Sequence, residues 1–202
     1  MHLAHTTIID KSIKSLNLDR FYAIPFMVSD SDSPLSFASR CEMLKIASLR
    51  VQGNLQVPCE KIMSWDQENP LSPDPDSFTE RVLKEIFHLE GWDHQYYQIL
   101  GSDEFQHLLK KRGFPTKDKP LSIVVIKRPG FNQTIPRHLI PELGERLFPI
   151  DFDTPRVSSR EIRALLKKGE ISPYLSDEVL KYIKAKQLYG LEESISKQEN
   201  KL

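Results

Sequence analysis

Leu121-Ser122-Ile123-Val124-Val125-Ile126 is the stretch that decides the fold. Apart from Ser122 it is apolar throughout. A strand with one wet face alternates apolar and polar side chains, whereas a run apolar on both faces belongs to a parallel sheet covered on both sides. Working back from it, residues 104–111 read as a helix, and Tyr96-Tyr97-Gln98-Ile99-Leu100, ending in Gly101, reads as another buried strand. Working forward, residues 146–150 make one more short strand, and helices over 159–168 and 177–187 close the chain. Towards the other end, Leu3, Ile8, Ile9, Ile13 and Leu16 recur at helical spacing over residues 2–16. A β-rich run, Phe21-Tyr22-Ala23-Ile24-Pro25-Phe26, follows, then a polar turn, a helix over 37–50 and a second strand over 55–63. A loop dense in Pro, Asp, Ser and Asn covers 64–76, and a helix covers 78–89. Strands alternating with helices predict an α/β fold, a parallel sheet with helices on both faces.

Composition narrows the class. The chain has 202 residues, of which 39% are hydrophobic, 28% charged and 9% aromatic, as in an ordinary globular domain. At ~150 residues per domain that is one domain, or one plus a small appendage, and a chain this long buries roughly 70% of its unfolded surface without staples. Lys plus Arg and Asp plus Glu are both 28, so the net charge is zero. Binding a nucleic-acid backbone draws on a surplus of cations; the balance points away from nucleic acid and leaves room for a local basic pocket. Cys41 and Cys59 have no C-x-x-C spacing and are too few for a zinc site; one disulfide between them stays open. No apolar run approaches the ~20 residues that span a bilayer. The first residues lack the charged and apolar regions of a signal peptide, and the chain reads as cytoplasmic. Residues 1–190 read as one domain and 191–202 as a polar tail.

The chain opens on a helix. In a parallel α/β fold a helix crosses between two strands, so this one is read either as a free N-terminal helix or, more sharply, as the sign of a strand and its loop ahead of His2. His2 and His5 are three apart and share a face of that helix's first turn, where free amides and the helix dipole favour anions. Two imidazoles there suit a phosphoryl group undergoing substitution; the bland alternative is a pair of exposed terminal histidines. Near the other end, Val157-Ser158-Ser159-Arg160-Glu161-Ile162-Arg163 is a helix start with a capping box, Ser158 to Glu161. Ser158 and Ser159 offer hydroxyls beside free amides, and Arg163 offers a fork of donors matched to phosphate. Its bland alternative is an ordinary capped helix.

His2-Leu-Ala-His5 resembles the H-x-G-H signature of the nucleotidyltransferases, with Ala4 for the glycine. Val157 to Arg163 resembles their I-S-S-T-x-I-R signature, with Val157 for Ile and Arg160 for Thr. The end of the chain, with Tyr174-Leu175, Val179, Tyr182-Ile183 and Leu188-Tyr189-Gly190, is similar to that of the nicotinate-nucleotide adenylyltransferase family. Arg40-x-x-Met43-Leu44, Ser77-Phe78-Thr79, Gly101-Ser-Asp103 and Arg128-Pro129-Gly130 resemble further family segments in the same order. The resemblance runs to about residue 190. Arg81 and Val82 stand where the family has Asp and Thr, and the family's Gly-rich G-x-F-D-P loop, with the strand before it, would precede His2.

The resemblance implies a Rossmann-like parallel sheet of the nucleotidyltransferase type, its first central strand absent from this sequence. It implies transfer of the adenylyl group of ATP to nicotinate mononucleotide, with Mg²⁺ accompanying ATP, giving deamido-NAD and pyrophosphate in NAD biosynthesis. His2 and His5 would be catalytic. Ser158, Ser159 and Arg163 would hold the ATP phosphates, Gly101 and Asp103 the ATP ribose, and Thr79 the mononucleotide through its amide. No protein metal ligand, nucleic acid or membrane partner is expected. Two alternatives stay open: a relative with another acceptor (pantetheine phosphate, or one using CTP) and an inactive nucleotide-binding protein.

Overall fold

The computed structural model describes residues 1–25, 35–68, 75–102, 104–105, 121–127, 146–151 and 154–191. The opening periodicity folds as α1, Leu3–Ser15. Its Ile9 and Ile13 are buried with Ala23 and Leu44, and Phe21, Val51, Leu55 and Val57 pack around them. The helix leaves through Asn17 in a left-handed conformation (φ 48), which Asn adopts more readily than most residues. β1 is Phe21–Tyr22 and β2 is Leu55–Gln56. They pair in parallel, Phe21 opposite Leu55. Between them in sequence lies α2, Phe37–Ser48, started by the Ser36 side chain, which accepts from the Ser39 amide at 3.2 Å. The β-rich run beginning at Phe21 thus forms only two strand residues, and Phe26 lies outside the described residues.

The strand expected over 55–63 ends at Gln56, because a helix, α3, takes over at Cys59–Glu68. The signals are local. Pro58 sits just before the helix and its carbonyl accepts from the Ile62 amide at 3.1 Å. Cys59 and Ile62, one turn apart, are both fully buried. Cys41 and Cys59 form a disulfide with their Cα atoms 6.1 Å apart, tying α2 to α3; Lys45 pairs with Glu60 across the same two helices and with Glu42 along α2.

α4, Pro75–Glu90, begins earlier than its apolar pattern indicates. Phe78, Val82, Ile86 and Phe87 are its buried face, and Phe87 meets Trp92 and Tyr96 with ring centroids 5.0 and 4.5 Å away. The second sheet is parallel and three-stranded, in the order β3 (Tyr96–Gly101), β4 (Leu121–Lys127), β5 (Leu147–Asp151). Tyr96 stands opposite Leu121, and Ile123 opposite Leu147. β4 is the central strand, and every residue from Leu121 to Ile126 is buried, Ser122 included. That is the double coverage its largely apolar run calls for. Of the helix expected over 104–111, only Glu104 and Phe105 are described, and they are helical.

The closing helices are α5, Ser159–Lys167, and α6, Asp177–Ala185, followed by a 3-10 turn, Leu188–Gly190. Ile162, Leu166, Val179, Ile183 and Leu191 form one core with Leu35, Met43 and Ala47 of the α2 region. Arg50 clamps Glu178 at 2.7 and 3.0 Å on the surface of that packing. By its internal contacts the chain divides into two units, Met1–Pro75 with Val157–Leu202, and Asp76–Arg156. Among the described residues no helix is long and apolar enough to cross a membrane.

Candidate active site

The first unit brings the chain's two extremities together. The Leu3 amide, at the start of α1, donates to the Tyr174 carbonyl at 2.9 Å. Met1 packs against the core that holds Ile162 and Leu166 of α5, as do Val157 and Tyr174. Burial, and Arg163 beside it, pull the Met1 amino group down to about 6. The start of α1 and the first turns of α5 therefore share one neighbourhood.

His2 is the residue that caps α1, in extended conformation (φ -137, ψ 168), and does not occupy its first turn. It is 4% exposed, so the picture of an exposed terminal pair does not hold for it. Its backbone amide donates to His5 Nδ1 at 3.4 Å, and the two rings stack with centroids 3.8 Å apart, tilted by 38°. The imidazoles thus form a unit at the helix N-terminus, where partial positive charge favours anions. Ala4, in the place of the family's glycine, is buried, and its methyl group is accommodated there.

At α5 the expected capping box forms. The Glu161 amide donates to Ser158 Oγ at 3.2 Å, and the Ser158 amide and hydroxyl donate to Glu161 Oε2 at 2.7 and 2.8 Å. The Ser158 hydroxyl is therefore already engaged, and binding an anion would draw it away from Glu161. Ser159 is the first helical residue and half-buried, at a position where helix amides lack intrahelical acceptors. Arg163 follows one turn later, half-buried, and its charge acts on the Met1 amino group and the Tyr189 phenol.

The remaining candidates belong to the second unit. Gly101 is the last residue of β3, opposite Ile126, at the carboxyl end of the strand as expected. Thr79 lies within α4, one turn past its start, where regular helical bonding engages the amide. A ligand contact from Thr79 would therefore fall to its hydroxyl and not to its amide. Asp103 lies outside the described residues, as does Arg128. Sequence reasoning gave no role to Arg40 or Tyr189, although both stand in quoted family segments. Tyr189 has a left-handed backbone (φ 63, ψ 12). Its phenol is raised by burial, against the pull of the Arg163 and Arg40 guanidinium groups.

Among the described residues no group of three or more His, Cys, Asp or Glu side chains gathers as a cation site. Mg²⁺ is commonly held by substrate phosphates with one or two carboxylates.

No protein-family model matches the chain. A probable nicotinate-nucleotide adenylyltransferase of Bacillus licheniformis is 30% identical over 195 residues, covering 93% of this chain and 92% of that relative. Another, of Listeria monocytogenes, is 24% identical over 191 residues, covering 94% and 91%. Among solved structures, the Plasmodium falciparum nicotinic acid mononucleotide adenylyltransferase complexed with NaAD matches with a TM-score of 0.68 at 19% identity, covering 95% of this chain and 92% of that one. A parallel α/β fold matching that structure, with relatives along nearly its whole length, defines a nucleotidyltransferase. More narrowly, the chain belongs to the nicotinate-nucleotide adenylyltransferase family.

Proposed function

We propose that the protein transfers the adenylyl group of ATP to nicotinate mononucleotide, releasing pyrophosphate and forming deamido-NAD. The phosphate of the mononucleotide attacks the α-phosphorus of ATP in line; the bond from that phosphorus to the β-phosphate bridging oxygen breaks, and pyrophosphate carries the electron pair away. No covalent enzyme intermediate is needed, so catalysis is positioning and charge stabilisation. His2 and His5 donate to the phosphoryl oxygens as charge builds on them. Arg163 and the amides and hydroxyls of Ser158 and Ser159 hold the β and γ phosphates at the α5 N-terminus. Gly101 and Asp103 lie at the ribose, and Thr79 at the mononucleotide, following the family pattern. Mg²⁺ bound to ATP would neutralise phosphate charge. The parallel α/β architecture is of the Rossmann-like type, and residues 1–190 make up the catalytic domain.

The observation that carries this reading is the joining of the α1 start to the α5 region, through the Leu3–Tyr174 bond and the shared core around Ile162. It supports a single phosphate-gripping site made from two motifs at opposite ends of the sequence. The test is ATP-dependent pyrophosphate release with nicotinate mononucleotide, nicotinamide mononucleotide and phosphopantetheine as separate acceptors. Release that is fastest with nicotinate mononucleotide is the expected result. Release only with phosphopantetheine, or ATP binding with no release from any acceptor, would replace the reading with one of its alternatives.

A further inference from the structure

We propose that the Cys41–Cys59 bond is a redox-sensitive latch: it seats the start of α3 on α2, and its reduction makes the chain melt at a lower temperature. The inference goes beyond the reading above and does not depend on the substrate assigned there.

Cys41 lies on α2 and Cys59 is the first residue of α3, 18 positions later, with the two Cα atoms 6.1 Å apart. Cysteines at that distance are bridged without moving the backbone, since disulfides span about 4.4–6.8 Å between Cα atoms. Both residues are buried, 2% and 0% exposed. Metal binding is the competing use of a close thiol pair, but among the described residues no third His, Cys, Asp or Glu gathers with them as a cation site.

α2 is held independently of the bond. Its Leu44 is buried with Ile9 and Ile13 of α1, and its Met43 and Ala47 with Ile162 and Leu166 of α5. α3 is also tied to α2 by Lys45–Glu60, but the Glu60 side chain is 68% exposed, and an exposed pair contributes little. The disulfide is the strong tie between the two helices. It closes a loop that carries the end of α2 and all of β2, and cross-linking such a loop acts mainly by narrowing the unfolded ensemble. Its loss is therefore read as a lower melting temperature, by about 5–15 °C for a chain of this size.

Reduction is a pair of exchanges with a small dithiol. One thiolate of the dithiol attacks a cysteine sulfur; the bond between the two cysteines breaks, and the other cysteine leaves as a thiolate that takes up a proton. The second thiol of the reductant, having lost its proton, attacks the mixed disulfide. It releases the remaining cysteine, which is protonated in turn, and closes the reductant into a cyclic disulfide. Two electrons and two protons pass to the protein, and a small-molecule disulfide runs the exchange backwards. Because both cysteines are buried, attack waits on opening of the α3 start, so reduction is slow in the folded chain.

The test uses the full chain treated with oxidised glutathione or with dithiothreitol, its thiols counted in denaturant, its intact mass taken and its thermal melt followed. Oxidised glutathione should leave no free thiol and no glutathione adduct, and dithiothreitol should leave both cysteines free. The reduced form should melt about 5–15 °C lower. Its formation should be at least about tenfold slower in buffer than in denaturing urea. The double variant Cys41→Ala/Cys59→Ala should melt near the reduced form and not respond to dithiothreitol. Free thiols or adducts persisting after oxidised glutathione, or melting temperatures of the two forms within ~2 °C, overturn the latch. Reduction as fast in buffer as in urea overturns its gating by burial. If the double variant fails to fold, the wild-type chain in its two states decides alone. No readout uses ATP or an acceptor, so the latch can fail while the function stands, and the function can fail while the latch stands.

Discussion

Replacing His5 by Ala separates chemistry from folding, because the structure sets the two costs far apart. The side chain stacks on His2 at 3.8 Å and accepts from the His2 amide at 3.4 Å. A bond at that distance is at the weak end, about 0.5 kcal/mol, and the ring contact is worth about 0.5–1 kcal/mol. Ala at a helical position returns roughly 0.6 kcal/mol through its higher propensity. The net loss of stability is therefore about 0.5–1 kcal/mol. Against a total of ~5 kcal/mol or more, that leaves over ~99% of the molecules folded. Removing a donor aimed at developing phosphoryl charge costs far more, about 10²- to 10³-fold in turnover, or about 2.7–4 kcal/mol of barrier. The assay is continuous pyrophosphate release at saturating ATP and nicotinate mononucleotide, paired with a thermal melt. The expected result is a kcat lowered by that factor with KM for ATP within about threefold of wild type, as for a contact made in the transition state. A kcat within about threefold of wild type would refute the catalytic role. A melting temperature lowered by more than ~10 °C would refute the stability estimate.

Leu166, 0% exposed, anchors α5 in the core that Met1 also packs against. Leu166→Ala should cost about 3–4 kcal/mol in urea unfolding, while Ile171→Ala, at a residue 53% exposed, should stay within about 0.5 kcal/mol; equal costs would contradict the packing. Gly53 has φ +131, and a Cβ there would lie 2.9 Å from Ile13 Cγ2. Gly53→Ala should therefore lose about 1–3 kcal/mol by the same measurement, and a neutral result would contradict the close approach. The Arg50 guanidinium holds the Glu178 carboxyl down, from 4.5 to about 2. A depressed carboxyl contributes its stability above the unfolded pKa and loses it as pH falls through the folded one. An NMR titration of Glu178 should thus show a midpoint near 2, returning towards 4.5 in Arg50→Met; an unmoved midpoint would break the pairing.

The elements that sequence discloses best are those whose burial is lopsided or complete. The run from Leu121 to Ile126 announces β4 because both its faces are covered, and Ile9 and Ile13 announce α1 because one face alone is covered. Ser158 and Glu161 announce the start of α5 through a bond pattern confined to four residues. α3 is hidden because Leu55, Val57 and Cys59 recur at every second position like a strand, and only Pro58 and the Cys59–Ile62 spacing betray a helix. The site is legible in its motifs and not in its assembly. His2 and Arg163 stand out as residue types, but their meeting depends on the Leu3–Tyr174 bond and a core built from α2, α5 and α6.

Joint grip of one triphosphate by both ends of the chain is tested most directly by following backbone amide resonances during titration with a non-hydrolysable ATP analogue. His2, His5, Ser158, Ser159 and Arg163 should shift together along one binding curve with a single dissociation constant. Shifts confined to one end, or two curves with different constants, would contradict a common site.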